Sequence, residues 1–200
     1  MQIRLRPVPN TRDRILDVSS QLFRRQGLTG TGIKQILSGA NAPFSSLYHH
    51  FPGGKDQLAA ETIAREGRYF ARLVGGVIAA EPDLVSGIRQ AFLEAGTTLV
   101  DTDFADACPI ETVALEVAST NERLRVATAE VFESWIAGLT AALTNEGIAP
   151  APARALAHTI LSALEGAFVL ARSARTTEAL EACAEHMAHL VETALATAPH

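Results

Sequence analysis

Apolar residues recur along most of the chain at spacings of three and four, and period-two alternation is scarce, so the pattern predicts helices rather than sheet. In the first such stretch Ile15, Ser19, Leu22 and Phe23 share one helical face, behind a cap at Asn10 or Thr11 and ahead of Gly27, which stops the helix. A second helix is expected after a Thr31 cap; it turns Ile33, Ile36 and Leu37 inward and ends near Gly39. Pro43 suits the first turn of a third helix, where its missing N–H would be unpaired anyway, and that helix ends near His50 before Pro52-Gly53-Gly54. Longer helices are expected at about 55–80, 83–100, 109–118, 121–146, 152–173 and 177–197. The fold class is therefore all-α, with nine helices. Leu124, Val131, Phe132, Trp135, Ile136, Leu139 and Leu143 form a stripe on the seventh that must be buried against other helices.

Composition adds a bound and an asymmetry. With 200 residues, 48% of them hydrophobic, the chain can bury a substantial core. It shows neither a signal-peptide pattern at its start nor an uninterrupted apolar run of about 18 residues, which leads to the expectation of a cytoplasmic protein with no membrane partner. Cys108 and Cys183 have neither the number nor the spacing of a disulfide framework or zinc site. The net charge of −5 is unevenly spread: Arg4, Arg6, Arg12, Arg14, Arg24, Arg25, Lys34 and Lys55 face only Asp13, Asp17 and Asp56 in the first 60 residues, whereas the remainder is strongly acidic. A basic head on an acidic body points to a polyanion at one end only.

The motif that gives this asymmetry meaning is Thr31-Gly32-Ile33-Lys34-Gln35-Ile36-Leu37, a turn over residues 38–42, then Pro43-Phe44-Ser45-Ser46-Leu47-Tyr48-His49-His50-Phe51. Two short helices joined by a tight turn let the first brace on the phosphate backbone while the second enters the major groove. Ser45, Ser46, Tyr48 and His49 offer hydrogen-bonding groups, and Leu47 and Phe51 occupy the opposite, core-facing side. Adjacent His49 and His50 point in different directions on a helix and do not chelate a metal; no metal and no other cofactor is expected.

Residues 11 to about 62 resemble the helix-turn-helix domain of the TetR family, on Gly27, Thr31, Ile33, Ile36, Ala40, Leu47-Tyr48-His49-His50-Phe51 and Lys55. Ala42-Pro43, Ser46-Leu47-Tyr48, the Pro-Gly-Gly-Lys loop and Cys108-Pro109-Ile110 are similar to the LmrA/YxaF subgroup. The resemblance implies a helix-turn-helix domain at 1–54 and an effector-binding and dimerisation domain at 55–200. It also implies phosphate contacts at Thr31, Tyr48 and Lys55, with base reading by Phe44, Ser45, Ser46 and His49, and Lys34 is a further candidate for DNA contact. Phe44 departs from the polar or basic residue usual in the family, and an apolar side chain there suits a thymine methyl.

The body should then hold a sensor. Tyr69, Phe70, Phe92, Phe104, Phe132, Trp135 and Phe168 are spread over several helices that could converge on an apolar cavity for a small hydrophobic effector, with Glu165 orienting it. Leu156, Ile160, Ala163 and Ala167, then Leu180, Met187, Leu190 and Val191, supply small and aliphatic faces for a homodimer whose two heads meet a palindromic double-stranded DNA operator. His186 and His189 lack a third ligand, so a metal is not expected there. The expected function is a ligand-released repressor. Its rivals are an activator of the same fold, a helical-bundle enzyme, and a ligand-binding protein without DNA activity. The enzyme reading lacks the Glu-x-x-His pairs of a diiron bundle and a histidine placed for Cys108.

Overall fold

A computed structural model describes residues 10–197, so Arg4 and Arg6 lie outside the described residues. Among these residues there are nine helices and no strand: α1 Thr11–Gln26, α2 Ile33–Gly39, α3 Ser45–His50, α4 Gly54–Ala80, α5 Leu84–Asp101, α6 Pro109–Val117, α7 Glu122–Asn145, α8 Pro150–Ala174 and α9 Glu178–Ala196. The Asn10 carboxamide caps α1 by accepting the Asp13 N–H at 2.9 Å, and Gly27 ends it at a φ of 72°. The positive φ favours glycine here, and a Cβ would also displace the Glu116 carboxyl, the mobile end of its side chain.

Two boundaries differ from the sequence expectation. Thr31 does not cap α2; Gly32 occupies that position without a side-chain hydrogen bond. Pro43 precedes α3 instead of sitting in its first turn, its carbonyl accepting the Ser46 N–H at 2.9 Å while Phe44 forms the N-cap. Elsewhere the expected bounds hold to within about two residues; α8 begins earlier because Pro150, like Pro152, is tolerated where helix N–H groups have no partner.

Three apolar clusters organise the chain. The head cluster joins Ile15 and Leu16 of α1, Ile36, Leu37 and Ala40 around α2, Leu47 and Phe51 around α3, and Leu58 of α4. A junction cluster joins Phe23 of α1 to Ala59 and Ile63 of α4, Ile110, Val113 and Val117 of α6, and Leu124 and Val131 of α7. The body cluster is built from α5, α7, α8 and α9. Phe132 and Trp135 pack against both the junction and the body clusters, so the junction, which includes Phe23 of α1, is continuous with the body.

By length and composition alone α7 and α8 are apolar enough to cross a membrane. Each nevertheless carries charge, with Glu122, Arg123, Arg125, Glu130 and Glu133 on α7 and Arg154, Glu165 and Arg172 on α8, and each buries its apolar stripe against other helices.

Candidate nucleic-acid interface and its connection to the body

On α3, two turns suffice to separate two jobs. Leu47 and the following Phe51 are fully buried, while Ser45, Tyr48 and His49 are exposed and Ser46 is half-buried. Phe44, 56% exposed at the helix start, stands 6.1 Å from the Tyr48 ring, itself 54% exposed. Large aromatic side chains left open above a sealed core form a surface suited to a partner. On α2, Lys34 and its neighbour Gln35 are exposed.

Other head residues expected at the DNA are held by the protein itself. Thr31 is fully buried, its hydroxyl donating to the Gly27 carbonyl at 2.6 Å, which withdraws it from the phosphate contact that the resemblance implies. The Lys55 ammonium is half-buried and donates to the Leu28 carbonyl at 2.7 Å. Several arginines of the basic segment are also struts. Arg12 pairs with Glu61 and lies over the Phe51 ring, Arg14 donates to the Ala40 carbonyl at 2.9 Å, and Arg25 pairs with Asp106 at 3.0 Å. Part of the positive charge that looked like an electrostatic footprint therefore fixes the head's own geometry.

The sequence did not single out the segment that ties head to body. Residues 102–107 join α5 to α6, with Asp103 and Phe104 both in the left-handed region at φ 51° and 58°, a conformation unfavourable for consecutive non-glycine residues. On one side Arg172 of α8 donates to the Phe104 and Ala105 carbonyls at 3.3 and 3.2 Å, and Arg175 lies over the Phe104 ring. On the other side the Ala107 N–H donates to the Arg24 carbonyl at 3.2 Å, and Asp106 faces Arg24 and Arg25 of α1. The same Arg24 pairs with buried Glu66 of α4 at 3.5 Å. A second tie is Glu116 of α6, whose carboxylate accepts the Thr29 N–H at 2.7 Å in the turn before α2. Only the charges flanking an irregular stretch could have signalled this strap.

In the body, the seven aromatics do not converge on one visible chamber. Tyr69 is exposed, Phe92 is buried in the body cluster, and Phe70, Phe104, Phe132, Trp135 and Phe168 are half-buried. The Phe132 and Trp135 rings meet edge to face at 5.8 Å, and the indole N–H donates to the Gly67 carbonyl at 2.9 Å. An open groove of about 340 Å³ lies between α5 and α9, and Phe92 is the one member of the set among its lining residues.

Glu165 sits differently. Its Oε2 is sealed from solvent, as are Glu66 Oε2 and Arg24 Nε at the head side, and its carboxyl hydrogen-bonds the Cys108 thiol and the Glu111 carboxyl at the start of α6. Burial, and then the facing Glu111 charge, push the Glu165 pKa up to about 8. Burial raises Glu111 as well, with Arg172 opposing, and lifts the Cys108 thiol well above its ordinary value, which leaves it unsuited to nucleophilic work. No metal-holding group of three or more His, Cys, Asp or Glu side chains is found among the described residues.

Of the expected dimer residues, Ile160, Ala167, Leu180, Met187 and Val191 are buried in the chain's own body cluster, and Leu156 and Ala163 pack against it. Leu190 is 43% exposed. The sequence pattern located the apolar face of each helix but not which apolar residues the monomer would itself cover. Val169 and Leu170 on α8, which were not singled out, are exposed.

Comparison with known proteins bears on this geometry. Residues 15–62 match the family described as bacterial regulatory proteins, tetR family, and residues 85–186 match the family described as transcriptional regulator LmrA/YxaF-like, C-terminal domain. The chain is 30% identical to the HTH-type transcriptional regulator LmrA of Bacillus subtilis over 86% of this chain and 91% of that one. It is 32% identical to YxaF of the same organism, described as an uncharacterized HTH-type transcriptional regulator, over 91% and 95% of the two chains. Among solved structures, regulatory protein TetR from Rhodobacter sphaeroides superposes with a TM-score of 0.78 at 19% identity, covering 90% of this chain and 97% of that one, a likeness of fold. These relatives are described as regulators of transcription, not as enzymes.

Proposed function

The chain belongs to the tetR family of bacterial DNA-binding transcriptional regulators, in its LmrA/YxaF-like branch, and from that premise we propose that it is a cytoplasmic repressor that binds a palindromic operator as a homodimer and is released by a small hydrophobic molecule. The observation that carries this reading is the division of α3 into a sealed side, Leu47 and Phe51, and an open side, Phe44, Ser45, Tyr48 and His49. An open face of small and polar groups on a rigid two-turn helix fits the major groove. Labour divides at about residue 54: the head reads DNA, and the body senses and pairs. The outward faces of α8 and α9, with Val169, Leu170 and Leu190, support the pairing surface, since exposed aliphatic side chains on adjoining helices gain most by meeting a second copy. A DNA-bound dimer blocks polymerase without further contacts, whereas activation requires a dedicated one, so repression is the simpler reading.

Base reading falls to Ser45, Ser46, His49 and Phe44, and phosphate contact to Tyr48 and Lys34. Thr31 and Lys55 act one step back, by fixing the turn that presents α2. The test is selection of bound fragments from random DNA, followed by affinity measurement across salt. The expected result is a near-palindromic site with affinity falling steeply as salt rises. Phe44→Ala should relax the preference for thymine at one position of each half-site. Equal affinity for selected and scrambled fragments would overturn the reading.

A further inference from the structure

We propose that Arg123, in the first turn of α7, is a DNA-phosphate contact that the body supplies beside the open side of α3. This rests on the operator-binding reading above and adds a residue to that interface. The turn before α7 is fastened to the edge of the head. The Asn121 side chain caps α7 by accepting the Leu124 N–H at 3.2 Å, and it donates to the Asp56 carboxylate in the first turn of α4 at 3.0 Å. Arg123 is thereby held against the Pro52-Gly53-Gly54 turn between α3 and α4, where a Cβ on Gly53 would lie 3.4 Å from the Arg123 Nη1. A Cβ on the adjoining Gly54 would lie 3.8 Å from the ring of Tyr48, one of the exposed side chains of α3. The guanidinium and the phenol therefore flank the same pair of glycines.

Nothing inside the protein accounts for a cation at this place. Arg123 is exposed and, among the described residues, has no ion pair or hydrogen bond. The acids of the two helix starts are engaged elsewhere, Asp56 by Asn121 and Glu122 by Arg125 through hydrogen bonds of 2.7 and 2.6 Å. The first turn of a helix also disfavours positive charge, because the backbone dipoles turn their positive end there. The head, meanwhile, is short of open cations. Arg12, Arg24 and Arg25 pair with carboxylates, Arg14 donates to the Ala40 carbonyl, and Lys55, next to the glycine turn, gives its ammonium to the Leu28 carbonyl. A phosphate beside this turn would therefore meet Arg123 before Lys55, and a guanidinium with open donors matches paired phosphate oxygens in shape and charge. Because Arg123 belongs to α7, the contact ties DNA affinity to the seating of the body on the head.

The experiment uses the full chain and fluorescence anisotropy of two labelled duplexes of equal length, one recovered by the selection above and one scrambled, across a range of salt. Arg123→Gln should weaken binding to both duplexes by a similar factor, about tenfold at low salt for a dimer that loses two exposed contacts. The slope of log affinity against log salt should become shallower by about 0.9 for each Arg123 removed, hence by about 1.8 for the dimer. Arg123→Lys should recover most of that slope, since the charge returns. Arg125→Gln makes the same charge change two residues away, on a side chain already paired with Glu122, and should leave the slope nearly where it was. Urea midpoints should stay unchanged in Arg123→Gln, because Arg123 holds no other part of the fold. An unchanged slope in Arg123→Gln, an equal loss in Arg125→Gln, a loss confined to the selected duplex, or a loss that follows the urea midpoint and is not recovered by Arg123→Lys would overturn the proposal and leave operator binding standing. Salt-independent binding, or none, by the unsubstituted chain would overturn the operator-binding reading and this contact with it.

Discussion

Two partly buried polar clusters flank the 102–107 strap, and they handle charge in opposite ways. At the head side, Glu66 and Asp106 surround Arg24, so the carboxylates meet a cation. At the body side, Glu165 and Glu111 face each other directly beside the Cys108 thiol, and protonation takes the place of a counter-charge. Burial by itself raises the proton affinity of a carboxyl, and the neighbours decide whether the group stays charged. The compensated cluster suits a permanent joint between α1, α4 and the strap; the uncompensated one is a place where a charge can be added or removed.

The comparison breaks most readily at Arg24. Arg24→Met keeps an apolar stem but leaves Glu66, 6% exposed, beside Asp106 without its cation. Removing one partner of a buried pair costs about 3–5 kcal/mol. Urea denaturation at fixed protein concentration should read a loss of that order, and a loss below about 1 kcal/mol would show that the charges there are not interdependent. The Glu165 effect is of opposite sense and is read as a slope with pH. Its pKa rises from the ordinary 4.5 to about 8 in the fold, so between those values the folded chain holds a proton that the unfolded chain has lost. The folded state then binds more protons, and stability falls as pH rises through that interval, by about 1.4 kcal/mol per unit at most. Glu165→Gln should flatten the slope of unfolding free energy between about pH 5 and pH 8. An unchanged slope would place the titration elsewhere.

Much of the fold was readable because helix boundaries here are local chemistry: Asn10, Gly27, Pro109 and Asn121 act within a turn of where they stand. The open side of α3 was readable too, since Leu47 and Phe51 recur at the spacing that turns them inward. Thr31 misled because a threonine before a helix has two uses, and its hydroxyl satisfies Gly27 instead of α2. Lys55 has a partner that its sequence neighbours do not announce, the Leu28 carbonyl 27 residues back in the chain. Ile160, Leu180 and Val191 could not be divided between core and interface from one chain's periodicity, since both demand the same apolar stripe. The Arg24–Glu66–Asp106 cluster and the Glu111–Glu165 pair join residues far apart in sequence, and no local pattern announces such meetings.

Cys108 sharpens the body side of the comparison with a rate instead of an energy. Its thiol is raised by burial and by the Glu165 charge, so little thiolate exists at neutral pH. A thiol reagent under native conditions should modify Cys108 only as the fold opens, and peptide mapping after a timed pulse would read this directly. Fast labelling of Cys108 would mean that the α6–α8 contact opens readily and that the carboxyl pair is wetter than its burial implies.

The smallest effect belongs to a pair that resembles the head cluster on paper. Arg154 and Glu133 make two parallel hydrogen bonds, at 2.8 and 2.9 Å, across α8 and α7, better geometry than Arg24 has with Glu66. Their side chains are nevertheless 46% and 55% exposed, and water screens what the geometry offers. Glu133→Ala should leave the urea midpoint where it was, at low salt and at high salt alike. The α7–α8 contact rests on buried Ile136, Leu143, Ala153 and Ala157, which this substitution does not touch. A clear salt-dependent shift would mean that pairing geometry, and not desolvation, sets the strength of charges in this protein, and the contrast between the two buried clusters would lose its basis.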